Sequence, residues 1–415
     1  METAVMPPPD RRFAVSLFSR LRTAKGQANP FPIYEELRSR GDVVAAPWGG
    51  YLVTGFDLCD RILRSRDWLE PDARWREQQG SGTRWTAPSS REMSRTLPAL
   101  NPPEHTRVRR SAGMFDRSTL REIGGTVERI TTGLLDDLGE RLRDGEADFN
   151  AVVSEELPIA TIGHWLGLPT ADFPRLRKLT HDQVFTQELL PSASQLAVSD
   201  AATAELRTYF MELVRHRRAH PGEDPVSRWI ATWDTLESDR DKADEAVYYL
   251  ALFVLLAALE TTTTLLSTAT LLLLEHRRHW DQLVVQPDLV PAAVEESLRY
   301  DPPTHVISRV SSRDCVLDGI EIRKDEMVHL MVGAAHRDPA KHKDPDVFDP
   351  HRKQAHIAFS GGIHYCLGAP LARLEAQTLL RQLTQRFPRL ALVRRPAWAP
   401  RVAFRRLLNL DVALT

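Results

Sequence analysis

The chain has 415 residues, with 54 lysines and arginines against 56 aspartates and glutamates, and a formal net charge of −2. That balance excludes a general field for recruiting nucleic acid or an anionic membrane, so any charged docking surface must be local. Three cysteines without regular spacing, Cys59, Cys315 and Cys366, exclude a disulfide framework and a CxxC-type zinc or iron–sulfur site, and fit a reducing compartment.

The first residues, Met1 to Pro9, carry an early acid and a proline run but no apolar stretch. They are not expected to form a signal peptide, and the chain to about residue 12 is expected to be unordered. Gly41 to Phe56 reads as two strands, Val43-Val44 and Tyr51-Leu52-Val53, about a Trp48-Gly49-Gly50 turn. Glu70 to Ser94 is polar, holds Gly80-Ser81-Gly82, and has Trp68, Trp75 and Trp85 nearby. It reads as a long surface loop with aromatic anchors.

From Glu104 the pattern is helical, over Glu104–Met114, Ser118–Arg143, Ile159–Leu166, Ala201–Arg218, Asp241–Glu275 and Leu289–Tyr300. Breaks fall at Pro191-Ser192 and His220-Pro221-Gly222. The longest apolar run, Ala246 to Leu259, is too short for a ~30 Å hydrocarbon core and reads as a buried helix, so no membrane span is expected. A β-rich stretch follows, with Cys315-Val316-Leu317 and Glu321-Ile322 flanking Asp318-Gly319 as a hairpin, then Met327–Val332. A helix runs from Pro370 to Arg386, and Leu390 to Leu414 reads as short strands. The fold class is mainly α with a smaller β-rich lobe. No repeat or linker divides it, so residues 1–415 read as one unit.

Four groups of residues carry chemistry. The segment Phe359-Ser360-Gly361-Gly362-Ile363-His364-Tyr365-Cys366-Leu367-Gly368-Ala369-Pro370 sets one thiol among three glycines. Glycines let the backbone turn sharply and let a bulky group sit close. Backbone N–H groups around a sulfur favour thiolate, the ligand form. Ala257-Ala258-Leu259-Glu260-Thr261-Thr262 places an acid and hydroxyls midway along an apolar helix. Glu260 is either a satisfied core acid, with Thr261 bonded back one turn, or part of a proton relay beside a loosened helical turn. Glu296 and Arg299, at i and i+3, can pair on one helix face. His105 and Arg109 share a face of a basic helix that opens at Asn101-Pro102-Pro103-Glu104.

Phe-Ser-x-Gly-x-His-x-Cys-Leu-Gly resembles the haem-binding loop of the cytochrome P450 family. The other groups follow in that family's order, from about His105 to Ala376. The resemblance implies a P450 fold, with haem b between a long central helix and the cysteine loop, and Cys366 as the iron ligand. It implies that Thr261 handles dioxygen and Glu260 delivers protons, although Ala258 stands where the family usually has glycine. It assigns His105, Arg109, Arg309 and His364 to the haem propionates, and Ala258, Phe359 and Gly368 to the cofactor's surroundings. Glu296, Arg299 and Arg352, the last in Phe348-Asp349-Pro350-His351-Arg352, would form a structural network behind the loop. By family position, Leu255, Leu256, Leu259, Val306, Ile307 and Leu408 would line the substrate pocket.

The implied activity is that of a soluble bacterial monooxygenase, hydroxylating or epoxidising a lipophilic small molecule such as a polyketide or macrolide in antibiotic biosynthesis. O2 would be co-substrate. Electrons would come from external NAD(P)H through a ferredoxin and ferredoxin reductase, since the chain has no flavin, nicotinamide or iron–sulfur motif. Arg107, Arg110, Lys353 and Arg373 are candidates for the docking face. A cytoplasmic monomer is expected. Alternatives on the same fold are oxidative ring closure or C–O coupling, a peroxide-driven relative, and a non-catalytic haem binder. A cysteine-nucleophile enzyme using Cys366 and His364 lacks a third, orienting residue.

Overall fold

Short apolar and β-branched runs form the strands. A computed structural model describes residues 11–80, 83–113, 115–353 and 355–415, and in it the chain falls into two units of interleaved segments. The strands among the described residues are β1 Val43–Ala45, β2 Tyr51–Val53, β3 Trp68–Leu69, β4 Glu146–Asp148, β5 Val306–Ser311, β6 Cys315–Leu317, β7 Ile320–Ile322, β8 Met327–Met331, β9 Leu390–Leu392 and β10 Asp411–Leu414.

The first unit takes Met1–Pro71, Thr264–Cys366 and Thr384–Thr415. Its main sheet has the order β1-β2-β8-β5-β3. β2 runs parallel to β8, with Tyr51 opposite Val328, while β5 runs antiparallel to β8, with Ile307 opposite Leu330 and Arg309 opposite Val328. β6 and β7 form the expected hairpin. Its turn takes positive φ at Asp318 (51°) and Gly319 (78°), which matches the right-handed twist of the strands. The helix Phe56–Arg64 places Leu58, Cys59, Ile62 and Leu63 at helical spacing, and they pack with Val53, Val328 and Leu330.

The second unit takes Asp72–Thr263 and Leu367–Leu383, and β4 is its one strand among the described residues. Side-chain caps start its long helices. Asp116 accepts from the N–H groups of Ser118 and Thr119 ahead of Arg117–Arg143, and Ser192 forms a capping box with Gln195 ahead of Ala193–Ala219. That box explains why the helix expected at Ala201 begins at Ala193. The helix expected over Glu104–Met114 spans Glu104–Ala112, and Met114 lies outside the described residues. The central helix Arg240–Glu275 is long and apolar enough to cross a membrane, but its most apolar window is 78% buried, as a core helix requires.

The segment read as a loop over Glu70–Ser94 is more ordered than expected. It contains the helices Ala73–Glu77 and Pro88–Met93 and a 3₁₀ turn at Arg84–Thr86. Asp72 caps the N–H of Trp75 at 2.9 Å, and Trp75 meets Trp85 edge to face at 5.2 Å. A cap and an aromatic pair stabilise pieces too short to show a period. Ser81 and Gly82 lie outside the described residues, as do Met1 to Asp10, and a helix already begins at Arg11. The helices Phe173–Gln183 and Pro225–Leu236 were not anticipated.

Glu375, on the helix Ala369–Arg386, is 2% exposed and sits beside Thr161. Burial pushes its carboxyl up to about 8, with Thr161 opposing only in part. The folded chain therefore keeps a proton that the unfolded chain, with an ordinary carboxyl, releases. Stability is lost as pH rises from the unfolded value toward the folded one. Glu375→Gln is expected to gain on the order of 1–3 kcal/mol over the native chain between about pH 5 and pH 8, measured by denaturant unfolding. A pH-independent difference between the two proteins would contradict this account.

Candidate functional site

The cysteine loop is built on the first unit. The Cys366 N–H donates to Phe359 O at 2.9 Å, and the Tyr365 N–H to Gly362 O at 3.2 Å, so the segment closes on itself around a 3₁₀ turn at Gly362–His364. Gly362 has φ 62°, and a Cβ there would stand 2.6 Å from Leu63 O, so only glycine fits. The result is a half-exposed Cys366, with Phe359 and Tyr365 ring centroids 6.4 Å apart. Cys59 differs: it is fully buried, burial drives its thiol far up from its ordinary value, and it packs as an inert core residue.

Behind the loop, Glu296 and Arg299 are 4% and 1% exposed and form a two-pronged ion pair, Nε to Oε2 at 2.8 Å and Nη2 to Oε1 at 2.7 Å. Arg299 also donates to the carbonyls of His336, Pro345 and Val347. Arg352 Nε stands 3.5 Å from Glu296 Oε1, and the Arg352 guanidinium donates to the carbonyls of Lys343, Asp344 and Val347. The structure thus brings together all three residues expected to form this network. His336 carries it onward: its Nε2 accepts the N–H of Ile357, which leads into the cysteine loop. His356, next in the chain, pairs with Glu295 at 3.0 Å.

On the second unit, Thr261 donates its hydroxyl to Ala257 O at 2.8 Å, the bond back one turn that the sequence suggested. Glu260 is 3% exposed, and its Oε2 lies 2.8 Å from Nδ1 of His181. On the central helix Phe253, Ala257, Ala258 and Thr261 keep accessible surface. Leu255, Leu256 and Leu259, expected in the pocket, are at most 6% exposed and lie on the packed side. Val306 is likewise buried at 7%, Ile307 is half-buried, and Leu408 is 52% exposed.

His105 is 2% exposed. Burial, and then the Arg109 charge, push its ring below its ordinary value and favour the neutral form. Arg309, on the first unit, holds Glu70 at 2.5 Å and Ser308 O at 2.8 Å. The second unit also contains a cavity of about 470 Å³, lined by Asp72, Arg95, Asn101, Arg107, Trp233 and Tyr249 among others. It is charged, unlike the apolar pocket expected for substrate.

A family model described as "Cytochrome P450" matches residues 192–392. The "Polyketide biosynthesis cytochrome P450 PksS" of Bacillus subtilis is 30% identical over 401 residues, covering 93% of this chain and 96% of that protein. The chain belongs to the cytochrome P450 family. The "Erythromycin C-12 hydroxylase" of Saccharopolyspora erythraea is 35% identical over 302 residues, covering 71% of this chain and 74% of that one. The solved structure of P450BioI with an acyl-carrier-protein-bound hexadecenoic acid superposes with a TM-score of 0.85 at 29% identity, over 94% of this chain and 99% of that one. The chain is a P450 monooxygenase with the family's mainly α fold, and the family's cofactor is haem.

The residues present fit that cofactor. The glycine turn leaves the P450 cysteine accessible to a metal, while Cys59 is closed off in the core. Arg309 and His364 belong to the first unit, and His105 and Arg109 to the second. His181 was missed. No motif marks a histidine 79 positions from its partner carboxylate, and only the packing reveals it.

Replacing Arg299 by Met leaves Glu296 buried without its main partner. The expected cost is about 3–5 kcal/mol of unfolding free energy, with a lower haem-to-protein absorbance ratio in the purified P450. Native stability and full haem content in that variant would show that the network is dispensable.

Proposed function

We propose that this P450 hydroxylates or epoxidises a lipophilic small molecule of the polyketide or macrolide kind, with electrons delivered by a ferredoxin and its reductase. The observation that carries the reading is one helical turn: a buried acid, Glu260, beside Thr261 on the accessible stripe of the central helix. Haem b held through Cys366 would supply reductive activation of dioxygen at the iron. Glu260 would hold the proton that dioxygen reduction consumes, and the Thr261 hydroxyl would orient and pass it. His105, Arg109, Arg309 and His364 would meet the propionates, with Arg309 sharing its charge with Glu70. Phe359, Ala258 and Gly368 would pack against the macrocycle, and Glu296, Arg299 and Arg352 would keep the cysteine loop in register.

The substrate class rests on chemistry and on relatives. Ala257, Ala258 and Phe253 offer an apolar stripe without charge, suited to a C–H-rich ligand. PksS is named for polyketide biosynthesis, and the Saccharopolyspora relative is named an erythromycin C-12 hydroxylase. For the redox partner, Arg110 and Lys353 are exposed, whereas Arg107 is engaged with Leu236 O at 2.7 Å and lies over the Trp233 ring. The same reading takes residues 1–415 as one P450 domain acting as a cytoplasmic monomer.

The reduced protein with carbon monoxide is expected to show the red-shifted Soret band of a thiolate ligand, and Cys366→Ala to lose it. A colourless protein would overturn the reading. With a substrate found by spin-state screening, Thr261→Ala is expected to keep NAD(P)H consumption while product per NAD(P)H falls roughly tenfold or more and peroxide rises. Full coupling in that variant would remove Thr261 from its role.

A further inference from the structure

We propose that His181 supplies protons to Glu260, as the middle member of a path Glu155–His181–Glu260 that leads from solvent into the central helix. This rests on the monooxygenase reading above and names the residue that reloads its acid. The geometry is graded. Glu155, His181 and Glu260 side chains are 19%, 16% and 3% exposed, and the imidazole stands between two carboxylates, 2.8 Å from Glu260 at Nδ1 and 3.9 Å from Glu155 at Nε2.

The backbone places Glu155 by an unusual device. Asn150–Ser154 winds as a π-helical turn, with the Glu155 N–H donating to Asn150 O at 2.9 Å, directly before the helix Glu156–Trp165. Such turns are rare and recur at functional sites. The Asn150 amide also donates to Glu155 Oε1 at 3.4 Å. Charged groups on the neighbouring turns and on the next helix have partners of their own. Arg177, one turn before His181, meets Glu155 at 3.7 Å and binds Glu156. On the outer side of the same helix, Lys178 pairs with Asp182 at 2.6 Å. From the helix Ala193–Ala219, Glu205 pairs with Arg175 at 3.2 Å, and Tyr209 donates to Asp172 at 2.9 Å.

Compensating a buried carboxylate requires only a cation, and arginine would serve permanently. Histidine is the side chain whose proton leaves near neutral pH. In the transfer, the imidazolium Nδ1–H bond breaks and a Glu260 Oε2–H bond forms, leaving a neutral ring and a neutral acid. After Glu260 passes that proton on, the ring, still protonated at Nε2, turns about Cβ–Cγ so that its bare Nδ1 faces Glu155, takes a proton from that carboxyl, and presents Nε2–H to Glu260, while solvent re-protonates the partly exposed Glu155. No electron moves in either step. His181 acts through Glu260 and is a positioning residue.

The test compares His181→Gln, His181→Arg and Glu155→Gln in the full-length holoprotein, each first checked for the thiolate carbonyl band. Loss of that band in the native protein would overturn the monooxygenase reading itself. With the band intact, both His181 variants are expected to lose product per NAD(P)H by roughly tenfold, to release peroxide instead, and to show a flattened pH profile of coupling. Glu155→Gln is expected to show a smaller loss in the same direction. Histidine-selective NMR of the native carbonyl complex should show a ring signal, identified by its absence from His181→Gln, that changes with pH over the range where coupling changes. Native coupling in His181→Arg, or a His181 signal that stays constant through that range, would reduce the residue to a charge partner and overturn the proposal.

Discussion

The cysteine loop depends on a carboxylate and a guanidinium that have both left water. Glu296 and Arg299 gain stability only because nearly every donor and acceptor is used: two direct bonds between them, three carbonyls on Arg299, and the Asp349 N–H on Glu296. An isolated buried charge would cost several kcal/mol, so the chain from His336 to Asp349 must stay where its carbonyls are needed. That requirement turns an irregular stretch without strands into a rigid support, and His336 passes the rigidity to Ile357 and the turn that carries Cys366.

The first unit solves a second problem in the same way. Burial would push the Asp301 carboxyl up, but the Arg405 charge and the His305 bond hold it well below the usual carboxylate range. Arg405 grips both Asp301 oxygens at 3.1 Å and stacks on Trp398. His305 bridges Asp301 to the Tyr34 hydroxyl. Two segments far apart in sequence, Pro303–His305 and Ala403–Arg405, are thereby zipped by main-chain bonds. Thr264, one residue into the first unit's part of the central helix, donates to Arg405 O. Buried, fully bonded ionic clusters set the positions of backbone that has no regular structure of its own.

The central helix meets a different demand. A helix packed on most of its surface keeps one accessible stripe, formed by Phe253, Ala257, Ala258 and Thr261. A threonine at the stripe's edge satisfies its hydroxyl within the helix, and the acid beside it turns to a neighbouring helix for its partner.

Much of this was legible in the sequence. Helical period, caps and glycine turns are local properties, so the long helices, the β6–β7 hairpin and the cysteine loop could be read from neighbouring residues. Glu296 with Arg299, and Thr261 with the Ala257 carbonyl, could be read for the same reason, since each pair lies within a turn. The helix Phe173–Gln183, the order inside Glu70–Ser94, the Asp301–Arg405 clamp and the His181 contact were not legible. Each depends on residues brought together from distant parts of the chain, and no local spacing records such a meeting. The sequence by itself determined the chemistry available, a thiol in a glycine turn and an acid beside an alcohol. The tertiary structure decided which side of the central helix stays open and which histidine faces its acid, because burial and partnership are properties of packing and not of order along the chain.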